Sequence, residues 1–166
     1  VNKRPGEIVQ GDKTGDETLI DVVKAYVKKK YNKPGDVYLG VIHRIDRPTS
    51  GVIIYARTSK ALGRMNELFR EGGVEKNYWA VVKTRPEYEE HTLINHLRKN
   101  EKQNKSFNCK EGSKDAKRSE LDYKLCGITD NYWLLEVHPK TGRHHQIRAQ
   151  LAHIGSPIKG DLKYGA

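Results

Sequence analysis

The chain has 166 residues, the length of one domain, and a domain of this size buries roughly 70% of its unfolded surface with no need of disulfide staples. Its 31 lysines and arginines against 21 acids leave a formal charge of +10, which points to a polyanionic partner, nucleic acid first. No apolar run approaches the roughly 18 residues of a membrane-spanning helix and no signal-peptide core is present; Cys109 and Cys126 lack metal-ligand spacing, so a soluble cytoplasmic protein with free thiols is expected.

The opening residues Val1 to Gly6 read as the end of a strand running into a loop, and Gly11 to Gly15 as a polar turn. Thr18-Leu19-Ile20-Asp21 has capping-box spacing with Asp for the commoner Glu. A helix should follow, with Leu19, Val22, Val23, Tyr26 and Val27 on its inner face and Lys28 to Lys30 where its dipole favours cations. That helix carries no evident chemistry.

From Val37 the chain alternates as a strand, Leu39, Val41, His43 and Ile45 on one face and Tyr38, Ile42, Arg44 and Asp46 on the other. Asp46 should leave the sheet where pairing stops, on a tight turn specified by Pro48, Thr49, Ser50 and Gly51. An acid between two arginines on a firm turn is a candidate reactive group, though Asp is also a common turn residue. Val52 to Ala56 is apolar enough for a strand buried on both faces. Thr58 or Ser59 can cap a second helix, with Leu62, Met65 and Phe69 as its stripe and Gly72-Gly73 as its stop. A strand from about Val74 to Val82 follows, Tyr78, Ala80 and Val82 on one face and Trp79 and Val81 on the other.

Between Arg98 and Arg118 eight basic residues stand against three acids, half of the net charge, and β-prone pieces flank Lys110-Glu111-Gly112-Ser113. A basic hairpin projecting from the sheet is predicted, a form suited to tracking phosphates. Strands near Glu120 to Leu125 and Tyr132 to His138 lead to a third helix, Arg143 to Ile154, stopped at Gly155, with Ile147, Leu151 and Ile154 inward and Arg148 beside that stripe. No repeat, linker or low-complexity tract divides the chain, so a single domain over 1–166 is expected.

Four stretches together carry a resemblance: His43-Arg44-Ile45-Asp46-Arg47-Pro48-Thr49-Ser50-Gly51, Lys76-Asn77-Tyr78 with its apolar strand, Gly142-Arg143-His144-His145-Gln146-Ile147-Arg148, and Gly155-Ser156-Pro157-Ile158-Lys159-Gly160-Asp161 with Tyr164-Gly165. In this order they resemble the motifs of the RluA-like RNA pseudouridine synthases. The resemblance implies an α+β fold, a mixed, mainly antiparallel sheet with flanking helices, and isomerisation of a specific uridine in ribosomal or transfer RNA with no cofactor and no metal, by a monomer. Asp46 would be the essential carboxylate, acting either by attack on ribose C1′ or by removal of the 2′ proton. Tyr78 would stack on the uracil and serve proton movement at C5; Arg148 would orient Asp46 through a bidentate bond. Ile158 would pack under the base, and Arg44 would fill the gap left by the flipped nucleotide. His43, Thr49, Arg143, His145 and Gln146 complete the substrate-binding set that the motifs imply.

Ile45 replaces the Leu usual in the first motif, and Arg4 interrupts the usual Asn-Lys-Pro near the start. By the same comparison the chain is expected to lack a first strand and a C-terminal segment and to carry no S4-type domain. Two rival readings use the same residues. A non-catalytic basic RNA-binding module would leave Asp46, Tyr78 and Arg148 idle, and a metal-dependent nuclease would recruit His138, His144, His145 and His153, which lack a ligand spacing.

Overall fold

The structure is a computed structural model that describes residues 1–11 and 15–166, and its contacts divide the chain into two compact units, Val1–Val74 and Glu75–Ala166. The expected turn at Gly11 to Gly15 lies largely outside the described residues.

The first unit is built from short strands and two helices: β1 (Asn2–Lys3), α1 (Leu19–Lys30), β2 (Gly40–Val41), β3 (Gly51–Val52), β4 (Tyr55–Ala56) and α2 (Ser59–Arg70). β1 pairs with β3 and β2 with β4, both antiparallel. Val9, Leu19 and Ile53 form its buried centre, with Val23, Val41, Ile45 and Tyr55 packed around them. Removing such aliphatic side chains from water contributes roughly 1.5–3 kcal/mol each.

Several expectations are corrected here. The predicted strand from Val37 pairs only over Gly40–Val41, so the ladder ends well before Asp46. Beyond it the Nε2 of His43 accepts the Ile54 N–H at 3.1 Å, and the ring stacks on Phe69 at 5.4 Å, so a side chain does the bonding a ladder would have done. Val52 and Ile54 are exposed while Ile53 is buried with Tyr55 packed beside it, so most of that segment covers the core with one face, and only Ala56 at its end is buried on the other. On α1 the inner stripe is narrower than periodicity suggested: Leu19 and Val27 are buried, but Val22 and Tyr26 face outward. The capping box is altered as well, because the Thr18 hydroxyl donates to the Asp21 carboxylate and accepts no backbone N–H. For α2 the expectation holds: Thr58 accepts the Ala61 N–H, and Gly72, at φ +76°, ends the helix as Gly73 donates to Leu68.

The second unit is a five-stranded antiparallel sheet in the order β5-β9-β8-β6-β7, from β5 (Tyr78–Val82), β6 (Glu90–Asn100), β7 (Lys105–Cys109), β8 (Lys117–Ile128) and β9 (Trp133–Pro139). One face buries Ala80, Val82, Leu93, Leu121, Tyr123, Leu135 and Val137 together with Leu151 of α3 (Gln146–His153). The other face is solvated, with polar residues along β8 and exposed Trp79 and Val81 on β5 and Ile94 on β6. There Glu120 pairs with Arg118 and Lys140, and Asp122 with Lys140 and Thr92, hydrogen bonds that hold both carboxyls below their ordinary range. Trp79 and Val81 are exposed and Ala80 and Val82 buried, as alternation predicts, but β5 begins at Tyr78, later than expected.

The α+β class is thus as expected, and every pair of named strands is antiparallel. The basic hairpin is not. β7 and β8 bond to opposite edges of β6, so the Lys110–Ser113 turn joins strands that do not pair, and the hairpin is β6–β7, at the edge of the sheet with an exposed turn at Glu101–Asn104. The third helix also starts later than expected, at Gln146, because His145 takes a left-handed backbone at φ +51° that no α-helix contains.

Candidate functional site

Asp46 stands on a turn closed by the Thr49 N–H on the Asp46 carbonyl at 3.0 Å, and the Gly6 N–H binds the Arg47 carbonyl at 2.8 Å. Gly51 follows at φ +142°, a conformation that side chains resist, so the turn residues expected from sequence do what they should. The turn is fixed by a residue outside it. Lys3, 0% exposed, lies on β1 opposite Gly51 and sends its ammonium among four carbonyls: Thr49 at 2.6 Å, Arg47 at 2.9 Å, Arg4 at 3.1 Å and Asp46 at 3.3 Å. A strand too short to brace a loop by its ladder braces it by one charged side chain. Burial pulls the Lys3 ammonium below the ordinary lysine range, and the negative charges of Glu7 and Asp46 oppose that shift. Arg47 is tied outward, to the Gly6 carbonyl and to Asp16 at 3.0 Å. Arg44 is exposed, and Asp46 and Thr49 are half-buried.

In the second unit Tyr78 opens β5 opposite Val137, half-buried at the margin of the core cluster. Two residues earlier, burial lowers the Lys76 ammonium below its ordinary range. Ile158 forms an antiparallel bridge with Val82 on the free side of β5, and the Lys159 N–H binds the Val81 carbonyl at 2.8 Å, which fixes Ile158 at the sheet edge. Arg148 projects from α3 and grips Asp161 in a two-pronged bond, Nε to Oδ2 at 2.7 Å and Nη2 to Oδ1 at 2.8 Å, with its guanidinium 4.9 Å from the centre of the Tyr164 ring. The pair is largely withdrawn from water, the side chains being 19% and 9% exposed. Planar fork on planar carboxylate fixes the guanidinium in direction as well as place.

The loop between β9 and α3 is organised by Gln146. Its Oε1 accepts from the Thr141 hydroxyl at 2.8 Å and the Arg143 N–H at 2.9 Å, and its Nε2 donates to the Glu120 carbonyl at 3.0 Å. Expected among RNA-contacting residues, it is buried, and its amide shapes the turn that presents its neighbours. His145 stacks on His144 at 3.8 Å and meets the Tyr164 hydroxyl through Nδ1 at 3.1 Å, while Arg143 is exposed and donates to the Arg118 carbonyl. A cavity of about 390 Å³ opens beside this loop, lined by Lys99, Lys117, Arg143 and His144 with Glu101 and Asp115. It has the charge and the polar lining to take a phosphodiester oxygen.

The histidines weighed for a metal centre have separate employments: His138 pairs with Glu136, His153 bonds to Asn108, and His144 bonds to Ser106. Among the described residues no three His, Cys, Asp or Glu side chains gather as a ligand set. Lys3, Asp161 and Tyr164 join the site from outside the set expected from the motifs. The available signals were a lysine at the inward position of a strand and an acid closing the Gly-Ser-Pro-Ile-Lys-Gly-Asp stretch, both of which need a partner if buried.

Compared with known proteins, residues 1–153 match the family model described as RNA pseudouridylate synthase. The tRNA pseudouridine synthase C of Vibrio parahaemolyticus is 35% identical over 135 residues, which covers 75% of this chain and 54% of that protein. The ribosomal large subunit pseudouridine synthase C of Haemophilus ducreyi is 33% identical over 165 residues, 99% of this chain and 49% of the relative. Among solved structures, the human RNA Pseudouridylate Synthase Domain Containing 4 aligns with a TM-score of 0.84 at 27% identity, covering 98% of this chain and 64% of that one. The chain spans about half the length of the curated relatives it matches. With the family model fitted from residue 1 to residue 153, across the Asp46 turn, Tyr78 and Arg148, the chain belongs to the RNA pseudouridylate synthase family.

Proposed function

We propose that this chain is the catalytic part of an enzyme that converts a uridine to pseudouridine in ribosomal or transfer RNA. The observation that carries the reading is the family match through the turn on which Lys3 holds Asp46. The reaction breaks the bond from ribose C1′ to uracil N1, turns the base, joins C1′ to C5, and moves the C5 proton to solvent as N1 gains one. Asp46 supplies the carboxylate beside the sugar, and attack on C1′ and removal of the 2′ proton ask the same of it: a fixed direction. Tyr78 supplies a ring for the uracil and a hydroxyl for the proton at C5, Arg148 orients the carboxylate, and Ile158 packs under the base.

Because the target base must leave its stack, at a cost of a few kcal/mol, something must occupy the vacated place, and exposed Arg44 is assigned there. Thr49, His43, Arg143 and His145 hold the flanking nucleotides. The same reading takes the protein to act in the cytoplasm as a monomer, needing neither metal nor cofactor. RNA labelled with tritium at uracil C5 tests the activity. Release of tritium by the protein and none by Asp46→Asn is the expected result; no release from total cellular RNA by the folded protein, or equal release by the variant, overturns it.

A further inference from the structure

The outward face of α1 has no part in the reaction described above, yet it concentrates exposed rings and cations. Tyr26 is 58% exposed and Tyr31, the residue that caps the helix, 48%. Lys30 stands between them, its Nζ 5.4 Å from the centre of one ring and 5.8 Å from the other, with a 3.0 Å hydrogen bond to the Tyr26 hydroxyl. Arg57, just after β4, lays its guanidinium 4.5 Å from the Tyr31 ring. A separate groove of about 260 Å³ between α1 and Asp36–Val37, lined by Lys24, Ala25 and Lys28 with Asp36 as its acid, includes none of these four residues.

A helix C-terminus by itself accounts for the lysines, since its dipole favours cations. It does not account for two tyrosines turned to water at helical positions from which periodicity would have buried one of them. Aromatic faces amid lysine and arginine are what an unpaired nucleic acid strand needs: π-surfaces for its bases, cations for its phosphates, and a guanidinium plane that also stacks. We propose that Tyr26 and Tyr31, with Lys30 and Arg57, form a second RNA contact, a stacking platform for unpaired bases of the substrate RNA outside the target nucleotide. The platform rests on the RNA-modifying reading for its ligand and deepens it: the RNA that suits this enzyme carries an unpaired stretch as well as the uridine.

Fluorescence anisotropy of the full chain with a labelled oligoadenylate tests this apart from catalysis, because that RNA offers no uridine. Tyr26→Ser/Tyr31→Ser should weaken binding roughly tenfold and Tyr26→Phe/Tyr31→Phe should retain it, since a phenyl ring stacks as a phenol does. Lys30→Gln/Arg57→Gln should reduce the slope of log affinity against log salt by about 1.4, roughly 0.7 for each cation lost on a single strand. With a uridine-bearing substrate, the serine pair should raise KM and leave kcat near that of the wild type. Oligoadenylate affinity untouched by the serine pair overturns the platform, whatever the enzyme does to uridine. So does an equal loss on fully duplex RNA, which offers no free base faces, or tyrosine-dependent binding to phosphatidylserine vesicles with RNA binding unchanged. A protein that releases no tritium yet shows the serine-sensitive, phenylalanine-tolerant binding keeps the platform and loses the isomerase.

Discussion

Replacing Lys3 by methionine keeps most of the aliphatic stem and removes the ammonium. Three protons on that group serve four carbonyl oxygens between 2.6 and 3.3 Å, three of which, those of Asp46, Arg47 and Thr49, belong to the Asp46 turn. A hydrogen bond to a charged group contributes about 1.5–3 kcal/mol, and a buried carbonyl left without a donor costs about 1–3 kcal/mol. The cost of burying the ammonium offsets part of this, and the turn can open to give its carbonyls water. The expected net loss in urea unfolding is therefore about 2–4 kcal/mol. The bonds from Thr49 N–H to Asp46 and from Gly6 N–H to Arg47 survive, so the unit still forms, with a looser turn. An ångström of misplacement at a reacting group lowers a rate by about a hundredfold, so single-turnover tritium release should fall by about that factor under conditions where the variant is folded. Lys3→Arg is the matching control: charge is kept, but a planar fork cannot reproduce the tripod of an ammonium in an enclosed site, and it should also be impaired. An unfolding midpoint unchanged in Lys3→Met, with a rate within about twofold of wild type, would refute the reasoning that ties this buried charge to the carboxylate's position.

Asp161→Asn takes the charge from the two-pronged partner of Arg148, and breaking so enclosed a pair should cost about 3–5 kcal/mol in thermal or urea unfolding and lower kcat more than it raises KM; a wild-type kcat would detach Arg148's orientation from Asp161. Tyr55 donates its hydroxyl to the Val9 carbonyl, and burial, helped by Asp21 and Glu7, pushes its pKa up to about 12. A phenol whose folded pKa lies above its unfolded value near 10 stabilises fully below pH 10, and that contribution is lost as pH rises through about 12, so stability measured between those values should fall more steeply than in Tyr55→Phe; parallel curves would contradict it. Ser156 is buried with its hydroxyl unbonded among the described residues, so Ser156→Ala should leave the melting temperature unchanged or raise it, and a drop of several degrees would reveal an interaction of the hydroxyl.

Periodicity served where packing alone decides a side chain's place. β5 alternates as read, Leu151 reaches the core with Ile147 and Ile154 beside it, and α2 starts and stops at the residues chosen from capping chemistry. It failed where one polar side chain substitutes for regular structure. His43 bonds to the Ile54 backbone and ends a ladder that alternation would have continued. Gln146 folds its amide back over Thr141 and Arg143, and with His145 left-handed the helix cannot begin three residues earlier. The basic stretch was misdrawn because charge density says nothing about register: Lys117 pairs with Leu97 of β6 and not with β7. The four signatures in order pointed to the family, which the match over residues 1–153 shows, but they could not give the partners that hold those motifs.

Those partners follow one physical rule in both units. A functional side chain on a turn or at a helix face is exposed to rotation, and a short strand or a half-buried helix supplies too few ladder bonds to stop it. In the first unit the answer is a cation placed among carbonyls, 43 residues before the acid whose turn it fixes. In the second it is an acid placed against a guanidinium 13 residues before it, with Tyr164 below. Each is a buried charge, expensive to bury unless fully bonded, and each is fully worthwhile only in the native arrangement. Such contacts tolerate even conservative change poorly: Lys3→Arg and Asp161→Glu keep charge and lose geometry, so both should impair activity further than their effect on unfolding would suggest. If the proposed chemistry holds, a reaction that needs the direction of one carboxylate is served by holding few groups firmly, with charges whose partners exist only in the folded arrangement.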